Sequence, residues 1–195
     1  MEDMIVEYEG KFVASKLERW EKYMENYNLP AWDNIPNLGL YMEQVLVLLQ
    51  QYLDYLPPEL REEQFITAAT INNYVRKKIM PVPVKKRYYR KHIAYLIIIL
   101  TLKHSLSIAL IQKLIPDNLT DAELEKFYVS FVNQHELAST YFVRQARILA
   151  RPFFKEELTV EDATRRTNDL IITSAMIGGF SQLLSEKLLL MEEED

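Results

Sequence analysis

Glycine is scarce in this chain, with only four glycines among 195 residues, at positions 10, 39, 178 and 179. Hairpin-rich sheets and dinucleotide-binding folds need glycine at their tight turns, so both architectures are disfavoured. The composition is otherwise that of a folded globular protein, with 49% hydrophobic and 26% charged residues. A chain of this length holds one domain or two small ones. We therefore predict an all-α protein built as a helical bundle.

Apolar residues recur at three- and four-residue spacing, and prolines interrupt the pattern. Thr67, Thr120 and Thr159 are predicted N-caps, and Pro152 is expected to end the sixth helix. Residues 81–89 are expected to form an extended, proline-bounded excursion. The predicted helices cover residues 10–27, 38–56, 68–79, 91–103, 107–115, 121–150 and 160–191.

The chain contains no cysteine, which excludes disulfides, thiolate metal sites and cysteine nucleophiles. Residues 1–8 carry three acidic residues where a signal peptide would be basic and then apolar. The longest apolar stretch, residues 93–102, is about half the length of a bilayer-spanning helix. We expect a cytoplasmic protein without a membrane segment.

Residues 64–116 contain ten lysines and arginines and no acidic residue, although the whole chain has a net charge of −5. Such an asymmetry is typical of a surface that binds a polyanion, and DNA is the first candidate. The alternative is that these lysines only solvate the outer faces of helices. A solvated face normally mixes both signs of charge, so the absence of acids favours binding.

The predicted helix 68–79 carries the side chains that major-groove reading requires. Asn72, Asn73 and Arg76 supply amide and guanidinium groups for base edges. Thr67 and Thr70 are suited to phosphate contact. Two tyrosines, Tyr74 and Tyr89, either stack on bases or pack the helix against the loop that follows. The full set of predicted DNA contacts is Thr67, Thr70, Asn72, Asn73, Tyr74, Arg76, Lys77, Lys85, Lys86, Arg87, Tyr89, Arg90 and Lys91.

The segment Ile66–Tyr74 resembles the recognition-helix signature of MerR-type winged helix-turn-helix regulators. Residues 79–81 are similar to the family's strand entry, Arg87–Tyr89 to the end of its wing, and Ser107–Ile115 to its closing helix. The whole chain also resembles an uncharacterised bacterial family, a domain of unknown function with this MerR-like core. The resemblance implies a helical extension at 1–37, a winged helix-turn-helix with a short wing at 38–116, and a C-terminal helical region at 117–195.

Three departures from the MerR pattern are visible. Asn72 stands where the family has an arginine, and Arg90 stands where it caps a helix with serine or threonine. Lys78 replaces the glycine that ends the recognition helix, so we expect that turn to be strained or different.

The MerR resemblance further implies double-stranded DNA as a partner, a homodimer, and a small-molecule effector as an option. Residues of the last helix recur at alternating four- and three-residue steps, which is typical of a coiled coil but also of packing within one chain. These residues are Ile172, Met176, Gly179, Leu183 and Leu190. The aromatic residues of the C-terminal half are predicted to lie in a core or to line an effector cavity.

No catalytic motif can be assembled, so we predict neither an enzyme nor a cofactor. The three histidines lack metal-ligand spacing, and His92 and His104 are expected to face solvent or DNA. The predicted function is sequence-specific DNA binding in transcriptional regulation. The alternative is a protein-interaction adaptor whose basic tract docks an acidic partner, which internal pairing of Arg76, Lys77 and Arg87 with glutamates would favour.

Overall fold

The computed structural model describes residues 7–53, 66–116, 119–155 and 157–191, and the fold is all-α, as predicted. These residues hold no extended strand, only two isolated β-bridges. A short 3-10 helix covers Trp32–Asn34. The α-helices are α1 (Gly10–Asn26), α2 (Met42–Tyr52), α3 (Ala68–Arg76), α4 (Arg90–Leu102), α5 (Ile108–Leu114), α6 (Asp121–Lys155) and α7 (Val160–Leu189).

Helix α4 is the centre of the core around the basic tract. Its nine consecutive residues from His92 to Leu100 are all buried, as expected for a helix that is apolar on every side. It packs against α2 and α5, and α2 also packs against α3. Helix α2 contributes Val45 and Leu49 to this core, and α5 contributes Ile111, all three fully buried.

The chain divides into two compact units that are not contiguous in sequence. One contains Asn28–Glu136 and Leu188–Asp195, and the other contains Met1–Tyr27 and Leu137–Lys187. In the second unit Trp20 of α1 meets Phe142 of α6 edge-on, with ring centroids 5.6 Å apart. This division differs from the three regions predicted from sequence, because α1 packs with C-terminal helices.

The predicted N-caps are confirmed at the starts of three helices. Thr67 Oγ1 accepts a hydrogen bond from the amide of Thr70 at 3.2 Å, and Thr159 Oγ1 accepts one from Asp162 at 3.1 Å. Thr120 and Glu123 form a reciprocal capping box, with each side chain bonded to the other's backbone amide. Local capping chemistry therefore sets where α3, α6 and α7 begin.

The predicted ends of the helices are less accurate. Helix α6 continues through Pro152 to Lys155, so the prediction that this proline ends the helix is wrong. A proline removes one intrahelical hydrogen bond, and in the last turn the cost is too small to stop the helix. Helix α2 ends at Tyr52, and the remainder of its prediction, residues 54–56, lies outside the described residues.

The aromatic side chains of the C-terminal half do not form one core. Phe153 is buried, whereas Tyr141 and Phe180 are 65% and 69% exposed. In α7 only Ala163 and Thr167 are buried. The distal part of this helix therefore has an apolar surface that the described residues do not cover.

Candidate nucleic-acid interface

Helix α3 has one buried face and one exposed face. Ile71 and Tyr74 point into the core and are 0% and 4% exposed, and burial raises the pKa of the Tyr74 phenol. Asn72 and Arg76 are exposed on the other side. Because Tyr74 is buried, its position allows packing against the core but not stacking on a base.

Part of the polar surface of α3 is already used within the helix. Thr67 Oγ1 and Thr70 Oγ1 are 2.9 Å apart at the N-terminus, where they serve the cap. Asn73 Oδ1 accepts a hydrogen bond of 2.8 Å from the guanidinium of Arg76. This leaves the Asn72 amide as the exposed side chain of α3 to which the structure assigns no hydrogen-bond partner among the described residues.

Helix α3 ends in a Schellman motif whose left-handed residue is a lysine. The amide of Ile79 donates to the carbonyl of Tyr74 at 3.0 Å, and the amide of Lys78 donates to that of Val75 at 3.0 Å. Lys78 has a φ of 58°, a conformation that glycine adopts far more readily. This turn shortens α3 from the predicted end at residue 79, and the strain expected at Lys78 is confirmed.

The loop after α3 contains a two-residue hairpin with lysines at both central positions. Val84 and Arg87 exchange backbone hydrogen bonds of 3.0 and 2.9 Å. Between them Lys85 and Lys86 have φ values of 48° and 61°, the pattern of a type I′ turn, which favours Asn-Gly. Each left-handed non-glycine residue costs roughly 1–2 kcal/mol. The hairpin therefore presents two positive charges at an energetic cost.

The base of the hairpin is fixed to the segment before α2. Leu40 and Tyr88 exchange two backbone hydrogen bonds of 2.8 Å. Arg87 donates to the carbonyl of Gly39 at 3.0 Å and to the hydroxyl of Tyr41 at 2.6 Å, and its guanidinium lies 3.9 Å from the Tyr41 ring centroid. A Cβ added at Gly39 would lie 2.8 Å from Arg87 Cδ, so this close approach requires glycine.

Arg90 and Lys91 are also engaged within the protein. Arg90 Nε donates to the carbonyl of Ile35 at 2.9 Å, and its Nη1 lies 3.4 Å from an Asp33 carboxylate oxygen. Its guanidinium also sits 5.5 Å from the Trp32 ring centroid. Lys91 Nζ is 3.8 Å from Asp121 Oδ1. Both residues tie α4 to neighbouring segments.

His92 holds the start of α4, and the expectation that it faces solvent or DNA is wrong. Its side chain is fully buried, and both ring nitrogens have backbone partners. Nδ1 accepts a hydrogen bond from the amide of Tyr89 at 3.0 Å, and Nε2 lies 3.1 Å from the carbonyl of Val82. This pair of partners selects the neutral tautomer with the proton on Nε2. Burial lowers the pKa of His92. His104, by contrast, is exposed.

Apart from the exposed Asn72, the predicted contact residues and Lys78 fall into two groups. The first group makes contacts within the protein that shape the site, and consists of Thr67, Thr70, Asn73, Tyr74, Arg76, Arg87, Tyr89, Arg90 and Lys91. Exposed lysines form the second group, and they have no ion-pair partner within the part of the chain that the structure describes. These are Lys77, Lys78, Lys85 and Lys86, which we call the lysine turns.

Sequence reasoning did not place Lys78 in the site or recognise the supporting roles of Gly39 and Tyr41. The signal for Lys78 was present, because a lysine stood where the resemblance has a glycine. No local signal connects Gly39 or Tyr41 to Arg87, since these contacts span more than forty residues.

A cavity of about 340 Å³ lies beside the end of α3, lined mainly by apolar side chains and by Lys78 and Gln112. Its volume is at the lower end of small-ligand sites. Across the described residues, no three His, Asp or Glu side chains are grouped so that they could hold a metal ion. None of the helices described is both long enough and apolar enough to cross a membrane.

Comparison with known proteins matches residues 30–131 to the family described as Domain of unknown function (DUF1836). This is slightly more than half of the chain. The chain belongs to this family. The DUF1836 region spans the 3-10 helix, α2 to α5, the lysine turns and the first turns of α6. No curated protein and no solved structure matches the chain.

Proposed function

We propose that this DUF1836 protein binds duplex DNA through α3 and the lysine turns, as a transcriptional regulator acting in the cytoplasm. In this proposal the exposed face of α3 enters the major groove, with Asn72 and Arg76 towards base edges. Lys77, Lys78, Lys85 and Lys86 contact the phosphate backbone on either side.

One observation carries the proposal. Three non-glycine residues have positive φ in the described chain, and all three are lysines of the acid-free tract, Lys78, Lys85 and Lys86. Glycine or asparagine would relieve the strain at each position. Strained backbone is typical of functional sites, and a lysine side chain does not stabilise the left-handed conformation of its own backbone. The presence of lysine at these three positions is explained if the turns present positive charge to a polyanion.

The contacts of the arginines support the same proposal over the adaptor alternative. Arg76 bonds to Asn73, and Arg87 bonds to Gly39 and Tyr41. Lys77 has no ion-pair partner among the residues described. Among the described residues, none of these three pairs with a glutamate. Such pairing would have favoured the adaptor. We assign Arg87, Arg90 and Lys91 to positioning the hairpin and α4.

The resemblance of residues 66–115 to a MerR-type winged helix-turn-helix adds support, with α3 as the recognition helix and the hairpin as the wing. Major-groove entry by a short helix and flanking contact by a wing are one consistent docking mode. The small-molecule effector implied by the resemblance stays a prediction.

The decisive experiment is a binding titration with a variant that removes charge without loosening the hairpin. Lys85→Asn/Lys86→Gly installs the residues that a type I′ turn prefers, so we expect equal or higher stability. Fluorescence anisotropy with a labelled random duplex should show weaker binding. The slope of log K against log salt should flatten by roughly 2, because about 0.9 counterions are released per phosphate contact.

The matched control is Lys11→Gln/Lys22→Gln, which removes the same two charges from exposed positions on α1. This variant should keep the wild-type affinity and salt slope. Absence of wild-type binding even at low salt would overturn the proposal and favour the adaptor. An equal loss of affinity in the control would show that total charge, not the lysine turns, governs binding.

A second variant separates reading of sequence from contact with the backbone. Asn72→Ala should change which duplex a selected pool prefers while leaving affinity for random DNA nearly unchanged, because an amide contributes to base discrimination and not to counterion release. An equal loss of affinity on every sequence would remove Asn72 from the reading face.

A further inference from the structure

The cavity beside the end of α3 lies wholly within one compact unit, the one that contains residues 28–136. Its walls are the last turn of α3, the loop that follows, one side of α4 and the end of α5. It contains none of the aromatic side chains of α6 and α7, which are the ones predicted to lie in a core or to line an effector cavity. Its own lining therefore decides what it can bind.

The floor of the cavity is mainly apolar and little exposed. Four of its side chains are between 4% and 6% exposed, and they are Ile79, Met80, Tyr95 and Ile115. A molecule that places an apolar body against this floor removes apolar surface from water, which is favourable. Methionine also adapts its shape to irregular partners, so the floor suits a short aliphatic chain or a single ring.

The mouth of the cavity is polar and positively charged. Lys78 and Gln112 line it and are exposed, so an ammonium group and a side-chain amide can both donate hydrogen bonds there. No aspartate or glutamate lines the cavity in the part of the chain that the structure describes, and residues 64–116 contain neither. The mouth therefore favours an anionic group that accepts hydrogen bonds.

Two helix ends oppose an anion at this mouth, but their effect is the smaller one. The C-terminal ends of α3 and α5 contribute to the lining, and each carries about half a negative charge. A basic residue stands in the last turn of each, Arg76 and Lys113, and backbone amides already bond to the carbonyls of Tyr74 and Val75. The full positive charge of Lys78 is added to this balance, so the net field at the mouth is positive.

We propose that this cavity binds a small organic acid, with its aliphatic chain or ring on the floor and its carboxylate between Lys78 and Gln112. An apolar pocket with a few convergent polar groups is the usual form of a small-molecule site. The volume of about 340 Å³ is at the lower end for such sites, so the acid is a small one.

Methyl NMR of the full-length chain tests the site without DNA, so the result does not depend on the proposed function. With ¹³C-labelled methionine methyl groups, sodium octanoate should shift the signal of Met80, one of seven methionines, which Met80→Leu assigns. Acetate, which has the charge without the chain, should leave this signal in place at the same concentration. Octanamide, which has the chain without the charge, should bind roughly two- to five-fold more weakly, in line with the loss of one exposed ion pair.

A variant at Lys78 locates the carboxylate. Lys78→Gly removes the charge and relieves the left-handed backbone, so it should weaken octanoate binding by the same factor and leave octanamide binding unchanged. The matched control is Lys86→Gly, which makes the same change at another left-handed lysine that does not line the cavity. This control should bind octanoate like wild type, and an equal loss there would overturn the assignment to Lys78.

A variant at Gln112 locates the chain. Gln112→Phe puts a ring into the mouth and should abolish binding of octanoate and octanamide. Leu114→Phe adds a ring at an exposed position about 200° around α5 and should bind like wild type, and amide spectra check that both variants are folded. An unshifted Met80 signal in octanoate, equal affinity for octanamide and octanoate, or full affinity in Gln112→Phe would each overturn the proposal.

Discussion

Helix α4 and the distal half of α7 both carry many large apolar side chains but have opposite environments. From His92 to Leu100 every residue of α4 is buried, whereas from Ile171 to Leu184 no residue of α7 is buried. Helix α4 is surrounded by α2 and α5, while the apolar side chains of distal α7 meet no comparable surface among the described residues. Apolar composition therefore indicates that a helix needs a partner, and packing alone decides whether that partner belongs to the same chain.

The same substitution in both helices should give the largest contrast. Ile98 is fully buried in α4 and Ile172 is 52% exposed in α7. Ile98→Ala should lower the free energy of unfolding by about 2–5 kcal/mol, because it removes buried methyl groups and leaves a cavity. Ile172→Ala should change it by less than about 0.5 kcal/mol, as measured by urea denaturation of dilute, monomeric protein.

A large cost for Ile172→Ala under those conditions would mean that α7 packs within the monomer. A cost that appears only at high protein concentration would instead support the homodimer that the MerR resemblance implies, because dissociation then contributes to unfolding.

A reciprocal exchange of alanine and glycine probes the backbones of the two helices. Ala94 is fully buried in α4, and Ala94→Gly should cost about 2 kcal/mol through lower helix propensity and the lost methyl group. Gly178→Ala should stabilise α7 locally by about 1 kcal/mol, because the added Cβ meets nothing within 4 Å.

Hydrogen exchange distinguishes the two effects. Ala94→Gly should speed exchange across the whole α4 core, whereas Gly178→Ala should slow it only in the distal turns of α7. Global protection gained by Gly178→Ala would show that α7 is coupled to the core and would weaken the contrast.

The sequence predicted the class of the fold because its signals are local. Helical periodicity located all seven of the described α-helices. Thr67, Thr120 and Thr159 fixed three starts through bonds that reach only three residues along the chain. Pro152 misled the prediction because a proline's effect depends on how many turns follow it.

The candidate site was predicted by charge but not by geometry. The acid-free tract located the lysines, yet nothing local indicated that Arg90 would bond to Ile35 or that His92 would be buried. Those outcomes depend on contacts between residues distant in sequence. The strain at Lys85 and Lys86 also escaped prediction, since lysine gives no turn signal.

The starts of α4 and α7 should lose stability in different pH ranges. In α4 burial lowers the pKa of His92 below its usual value of about 6.5. The unfolded chain then binds the proton more readily, so stability is complete above about pH 6.5 and is lost as the pH falls below it. In α7 a hydrogen bond from Arg165, with one from Thr159, lowers the pKa of Asp162. Asp162 therefore keeps its contribution to the free energy of unfolding until the pH falls to about 4.

The variant that isolates the α4 effect is His92→Gln, which copies the arrangement at the start of α2, where Gln44 Oε1 accepts a hydrogen bond from the amide of Tyr41 at 2.9 Å. Glutamine keeps the capping bond and cannot be protonated. Unfolding free energies measured by urea from pH 7.5 to 5 should fall more steeply for wild type, by up to about 1.4 kcal/mol per pH unit. His104 and His135 titrate in both proteins, so the difference between the curves reports His92. Parallel curves would mean that burial of His92 does not control the acid stability of α4, and the contrast with α7 would then rest on packing alone.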